Sequence, residues 1–471
     1  MNQSKSNRHD RRALRAWGGE AEMGAAEAML WRTEVDPRLR STMTSVFVFD
    51  RAPEWDRFRR DHEWLIQAVP RFGQRVAGPG LGRTSPRWVT ASDFDLGYHL
   101  RHVQLPAPGT ERQLFDLAQA LAMTPLDKAR PPWEGTLVEG LTRGRAAYVM
   151  KLHHAVSDGL GVVQLMSQLL TTDGPRLGAA VSSGQPASAP GRRNHAISTA
   201  DSGWLSDLPG LLERGANAAQ HALDYATSAA RVLAAGSAPG SPILRRRSAS
   251  MRFDAIEIAL DDFKAAARAC EGSVNDVLLA GLTGGWRRYH EVMGVPVDRM
   301  PIGFPVSVRK PGDPVGGNRF TALRYAAPVG ETDPVARVRN VQQFLRTMRD
   351  EAALDIMVRL MPAMARLPAA FAARLAVSVT SSLDAQVSNV PGLAGPSHLS
   401  GVRITHCWPF GPLPGCAMMI TMVSHDGRCC IGITSDPAAV IDPELMTESL
   451  REGLQEMMAL GKPKPSRKRG R

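Results

Sequence analysis

Cysteine is scarce in this chain of 471 residues: Cys270, Cys407, Cys416, Cys429 and Cys430 are the whole supply. The count is odd and the one close pair is adjacent, so neither a disulfide framework nor a CxxC zinc cluster is indicated, and a reducing cytoplasm is the expected compartment. Long apolar runs are missing as well. No 18 consecutive apolar residues occur, so no membrane-spanning helix is expected. Arg11-Arg12 could open a twin-arginine signal, but Glu20, Glu22 and Glu27 interrupt the apolar core it would need. No G-x-S-x-G is present for a serine hydrolase. There is no P-loop, and Gly78-Pro79-Gly80-Leu81-Gly82 does not match a dinucleotide fingerprint.

The net charge of +11 is concentrated at the ends. Residues 1–16 hold Lys5, Arg8, Arg11, Arg12 and Arg15 against Asp10, and residues 462–471 hold six bases and no acid. The body between is nearly neutral, whereas a nucleic-acid enzyme carries its basic charge on the folded surface. Basic ends suit adhesion to anionic lipid, at about 1 kcal/mol per residue close to the surface, or are simply solvated. The expected localisation is cytoplasmic, peripheral to the inner face of the membrane or to lipid droplets.

Five segments follow from composition and periodicity: a basic disordered arm (1–18), a first globular half (19–170), a Gly/Ser/Pro/Ala-rich linker with a bridging helical stretch (171–250), a second half (251–461) and a basic tail (462–471). Strands are expected at 45–49, 146–152, 254–260, 302–308, 418–424 and 430–434, the last two around an Asp426-Gly427 turn. Helices are expected at 55–69, 113–123, about 161–170, 273–290, 334–349 and 444–460.

The chemistry concentrates at His153-His154-Ala155-Val156-Ser157-Asp158-Gly159, between a strand-like and a helix-like segment. A neutral imidazole there can take the proton of an alcohol as its oxygen attacks an acyl carbonyl, help worth roughly 100- to 10,000-fold. A metal site on His154 and Asp158 would need a third ligand, and a pair of satisfied structural histidines is the bland alternative.

The pattern HHxxxDG resembles the active-site motif of the CoA-dependent acyltransferase superfamily. Its surroundings narrow the resemblance to the bacterial wax ester synthase/diacylglycerol acyltransferases. Pro131-Pro132-Trp133-Glu134 is similar to that family's PLW element. Phe94-Asp95-Leu96 with His99, Arg101-His102 and Leu105-Pro106 is another match. So are Asn275-Asp276-Val277-Leu278-Leu279-Ala280, Pro305-Val306-Ser307-Val308-Arg309 with Gly317-Asn318, Ser388-Asn389-Val390-Pro391-Gly392 and Gly411-Pro412. The matches run in order from about residue 20 to 460.

The resemblance implies an α/β (α+β) fold of two chloramphenicol-acetyltransferase-like halves with a channel at their interface. It implies transfer of a long acyl chain from acyl-CoA, as co-substrate, to diacylglycerol or a long-chain alcohol, without a metal or other cofactor and without nucleic acid. His154 would be the base, His153 would pack behind it, and Asp158 would point away as a structural residue, with Arg309 suggested as its partner. Gly159 would permit the turn and a close backbone approach. Pro131, Trp133, Asn275, Asp276, Arg309, Asn318, Ser388 and Asn389 would bind substrate or support the site. Ser273 and Asp276 could equally be a helix cap, Trp133 a core anchor and the Ser388–Gly392 segment a tight turn. Three positions depart from the family pattern: Pro132 for the middle Leu of PLW, Leu393 for Pro, and His425 for Tyr. Two rival readings stay open: a condensation-type acyltransferase for a polyketide-derived or sugar alcohol, and a non-catalytic lipid-droplet or membrane-binding protein.

Overall fold

The computed structural model describes residues 14, 17–78, 85–170, 238–307, 320–349, 361–362 and 364–462. Among them the strands are β1 (Thr42–Phe49), β2 (Gln74–Ala77), β3 (Arg87–Thr90), β4 (Leu100–Gln104), β5 (Trp133–Glu139), β6 (Ala146–His153), β7 (Arg252–Ala259), β8 (Met300–Ser307), β9 (Phe320–Ala327), β10 (Ala385–Leu393), β11 (Ser397–Leu399), β12 (Val402–Phe410), β13 (Met418–His425) and β14 (Arg428–Ser435). The helices are α1 (Ala25–Thr33), α2 (Trp55–Ala68), α3 (Leu96–His99), α4 (Glu111–Met123), α5 (Gly159–Leu169), α6 (Leu260–Ala269), α7 (Val274–Val292), α8 (Pro334–Arg349), α9 (Ala369–Thr380) and α10 (Pro443–Leu460). The basic ends, the linker with its bridging stretch, Arg309 and Asn318 fall almost wholly or entirely outside these residues.

Two six-stranded mixed sheets carry the architecture, in the orders β11-β12-β1-β6-β5-β4 and β7-β14-β13-β10-β8-β9. Helices α2–α4 pack on the first sheet and α6–α8 with α10 on the second, giving the two α/β halves, while α5 also meets β10 of the second sheet and α9 packs against α1. The hairpin β13–β14 turns at Asp426 and Gly427, both with positive φ (46° and 76°), the paired left-handed geometry of a type I′ turn that Asp-Gly favours. Along β13, Met418, Ile420 and Met422 enter the core of the second half, while Met419, Thr421, Val423 and His425 line a channel. This is the period-2 alternation of a strand with two occupied faces.

The halves are joined by more than contact. Strands β11 and β12 come from the second half of the sequence yet pair in the first sheet, β12 running antiparallel to β1 with Val46 opposite Trp408. At the crossing, Phe410 of β12 stacks on Phe253 of β7 with ring centroids 4.1 Å apart. A Cβ on Gly432 of β14 would fall 1.9 Å from the Pro409 carbonyl oxygen, so only glycine lets the two strands approach this closely. From α4, Arg112 donates to the Phe253 carbonyl (2.7 Å) and the Asp254 carboxylate (2.9 Å).

Trp17, which composition assigns to the disordered arm, is 2% exposed. It stacks on Phe72 and donates its indole N–H to the Gly161 carbonyl at 3.0 Å. Its apolar area ties the chain down where the flanking charge suggests release.

Candidate active site

Strand β6 delivers the histidine pair to its end, and the residues before β5 hold that end in place. His153 N–H donates to the Pro132 carbonyl at 3.0 Å, and Trp133 pairs opposite Leu152. Pro131 is buried. Trp133 is 1% exposed, donates its indole N–H to the Phe72 carbonyl and stacks on His99. The Pro-Pro-Trp element thus acts on the histidines through the backbone.

The two histidines have different surroundings. His153 is 1% exposed. Its Nδ1 accepts the Ala155 N–H at 2.9 Å, which places the neutral ring's proton on Nε2, and Nε2 lies 3.0 Å from Glu34 Oε1. Trp31 meets the ring edge-on. Burial works to raise the Glu34 carboxyl, but His153, the Ser41 N–H and Lys128 outweigh it and hold the group below the usual carboxylate range. His154, half-buried, donates its backbone N–H to the Ser41 carbonyl at 2.7 Å, and its side chain lines the channel. Ser41 in turn gives its own N–H to Glu34 at 2.7 Å. One carboxylate therefore braces both histidines. Glu34 follows the last residue of α1 and carries no motif signal, which is why the sequence does not reveal it.

Asp158 is 7% exposed and is the N-cap of α5, its Oδ1 accepting the Gly161 N–H at 2.8 Å. Gly159 is the first residue of α5, so no left-handed turn is involved. The reason for glycine is proximity: a Cβ there would lie 3.1 Å from Val390 Cγ2 on β10. The helix that follows the histidines therefore docks on the Ser-Asn-Val-Pro-Gly strand of the other half. That segment is part of β10, not a free turn, and its pairing shifts register between Val390 and Leu393. Ser388 and Val390 line the channel; Asn389 is not among its walls. Asp276 forms a capping box with Ser273 at the start of α7, and neither it nor Asn275 is in the channel wall.

The channel holds about 1060 Å³ of open space, its mouth included, between β1, β6, α5 and β12 on one side and β10 and β13 on the other. Its walls are mainly apolar. A second space of about 580 Å³, its openings included, adjoins it, and Phe47, Met150, Met166, Leu170 and Ile404 line both. The polar groups of the second cavity are partly satisfied within it: His62 Nδ1 bonds the Phe58 carbonyl, so its Nε2 accepts from the Tyr148 hydroxyl at 2.9 Å. Burial lowers the His62 pKa to about 4. Cys407 also lines the channel, and burial pushes its thiol well above the usual range, so it is not a thiolate nucleophile at neutral pH. Among the described residues no three His, Cys, Asp or Glu side chains are grouped to hold a metal.

Comparison with known proteins agrees with this geometry. The model of the wax ester synthase/diacylglycerol acyltransferase catalytic domain matches residues 20–278, and that of the family's C-terminal domain matches 316–458. The chain belongs to this family and is an acyltransferase. It is 40% identical over 459 residues to a Mycobacterium tuberculosis H37Rv protein named provisionally as a diacylglycerol O-acyltransferase, covering 94% of this chain and 93% of that one. The wax ester synthase/diacylglycerol acyltransferase of Marinobacter aquaeolei VT8 shares the fold with a TM-score of 0.65 at 19% identity, over 93% of this chain and 99% of that one. The starter condensation domain of rhizomide synthetase, solved with C8-CoA and Leu-SNAC, shares it at 0.57 and 16%, over 94% of each.

Proposed function

We propose that the protein transfers a long-chain acyl group from acyl-CoA to the hydroxyl of a diacylglycerol or fatty alcohol, giving triacylglycerol or wax ester, with His154 as general base. One observation carries this reading: of the two adjacent histidines, His153 is tied back to Glu34 while His154 opens on an apolar channel between the halves. His154 takes the acceptor proton as the oxygen attacks the thioester carbonyl. The C–S bond breaks, and the imidazolium returns the proton to the CoA thiolate, so no covalent acyl-enzyme is needed. Asp158 and Gly159 set the start of α5; Pro131 and Trp133 support the end of β6; Ser388 lines the substrate space.

The acyl chain fits the apolar channel and its continuation behind Met150 and Met166. Acyl-CoA is a co-substrate, and the chemistry asks for no further cofactor. No described helix is long and apolar enough to cross a membrane. The basic ends, Arg11-Arg12 and Arg467-Lys468-Arg469 among them, would hold the enzyme at an anionic lipid surface where its substrates reside.

The test is a product assay with labelled palmitoyl-CoA and either hexadecanol or diacylglycerol, wild type beside His154→Ala. Ester from the wild type, reduced at least about 100-fold in the variant, is expected. A stable His154→Ala protein with near-normal turnover would remove His154 from the role.

A further inference from the structure

A second imidazole faces the channel. His425 ends β13 on the same wall as Thr421 and Val423 and is 3% exposed. Neither Nδ1 nor Nε2 has a hydrogen-bond partner among the described residues. The charged groups around it are occupied with one another: Arg403 bonds Asp426 at 2.6 Å, and Arg428 and His406 both bond Glu257, at 2.5 and 2.9 Å. Thr421 Oγ1, on the same face, also lacks a partner. Buried polar atoms without partners are rare and call for an explanation. The other polar side chains of the lining, the Thr44, Ser45, Ser388 and Ser424 hydroxyls and His154, leave both ring nitrogens without a partner, so the partner has to arrive with whatever fills the channel.

Burial, against the pull of Asp426, moves the His425 imidazolium below its ordinary range. The ring is therefore neutral at pH 7 and offers one N–H donor. Val423, two residues earlier, pairs with Val390, which touches Gly159. His425 is thus about 7 Å further along the strand from the point where the histidine motif's helix docks, the scale of a glycerol backbone with its ester groups. A fatty alcohol brings only the hydroxyl that His154 would deprotonate. A diacylglycerol brings two ester carbonyls besides.

We propose that His425 donates a hydrogen bond to an ester carbonyl of the acceptor, so that the channel is built for diacylglycerol in preference to a simple fatty alcohol. This rests on the acyl-transfer reading above and names its acceptor.

The experiment uses purified full-length wild type, His425→Phe and His425→Gln with palmitoyl-CoA and three acceptors: a 1,2-diacylglycerol, its 1,2-dialkyl ether analogue, which lacks the carbonyls, and hexadecanol. Wild type should prefer the diester to the diether by about tenfold in kcat/KM, the effect of one buried hydrogen bond with its desolvation. In His425→Phe that preference should collapse to about one, and the diester-to-hexadecanol ratio should fall by the same factor. His425→Gln, which keeps an N–H donor, should retain part of it. An equal loss on all three acceptors would instead place His425 in a step common to them, and an undiminished diester preference in both variants would leave it with no part in recognition; either overturns the proposal. A wild type that makes wax ester but shows no diester preference overturns it while leaving acyl transfer standing. A wild type that makes no ester with any acceptor overturns the acyl-transfer reading itself.

Discussion

Glu34 and His153 lie 3.0 Å apart, carboxylate oxygen to ring nitrogen, and the same Glu34 oxygen accepts the N–H of Ser41, whose carbonyl anchors His154. The positioning of the channel-facing histidine therefore begins outside the motif. Glu34→Ala should lower kcat by tenfold to a hundredfold, the effect of a shift of about an ångström in a catalytic group. Glu34→Gln, which can still accept from Ser41, should lose less. Steady-state kinetics at saturating acyl-CoA checks both, and equal losses would point to general destabilisation instead.

Asp158→Ala removes the cap of α5 and should cost about 1 kcal/mol of stability. Asp158→Asn keeps an acceptor for the Gly161 N–H and should recover most of it. Thermal melts of the two variants decide; indistinguishable melts would assign the aspartate to something other than capping.

Gly159 meets Val390 across the interface, so Gly159→Val should overpack the contact and cost about 1–3 kcal/mol. Val390→Ala in the same chain should restore much of the loss. The double-mutant cycle is the measurement, and additive effects would mean that the two residues do not press on each other.

Met166 borders both cavities. Met166→Trp should close the passage between them and cut turnover of palmitoyl-CoA relative to octanoyl-CoA by about tenfold. An unaltered chain-length profile would put the acyl tail elsewhere.

His62 titrates near 4 when folded, against an ordinary 6.5. Between those values the unfolded chain takes a proton that the folded one refuses, so stability is lost as pH falls from 6.5 toward 4, by about 3 kcal/mol. A His62→Leu, Tyr148→Phe variant lacks this group. Its stability in urea, compared with wild type at pH 7 and pH 4, should gain on the wild type by that amount. A difference that stays flat with pH would clear His62.

The legible parts of the fold are those with local signals. The Asp426-Gly427 hairpin, the amphipathic α4, α8 and α10 and the histidine strand and helix are all where periodicity and turn chemistry predict them. What escaped was set by long-range packing. Strands β5 and β10 do not alternate cleanly because neighbours cover both faces or the register shifts at Pro391-Gly392. In the site, His154 and its flanking turn were readable from the motif. Glu34 was not, since a glutamate after a helix reads as surface until tertiary structure buries it against His153. Nor could the sequence separate Ser388, on the channel wall, from Asn389, its neighbour on the other face.

The exchange of β11 and β12 into the first sheet bears on how the chain can be divided. A fragment ending at Leu170 would contain the whole histidine motif yet leave the outer edge of β1 bare, presenting Val46-Phe47-Val48-Phe49 as an open template for other strands. Such a fragment should precipitate and be rescued by co-expression with residues 238–462, because the missing partner strand is supplied in trans. The two halves are less a pair of domains than a clasp: without the second, the first sheet lacks its edge, and without the first, β12 has no β1 to pair with.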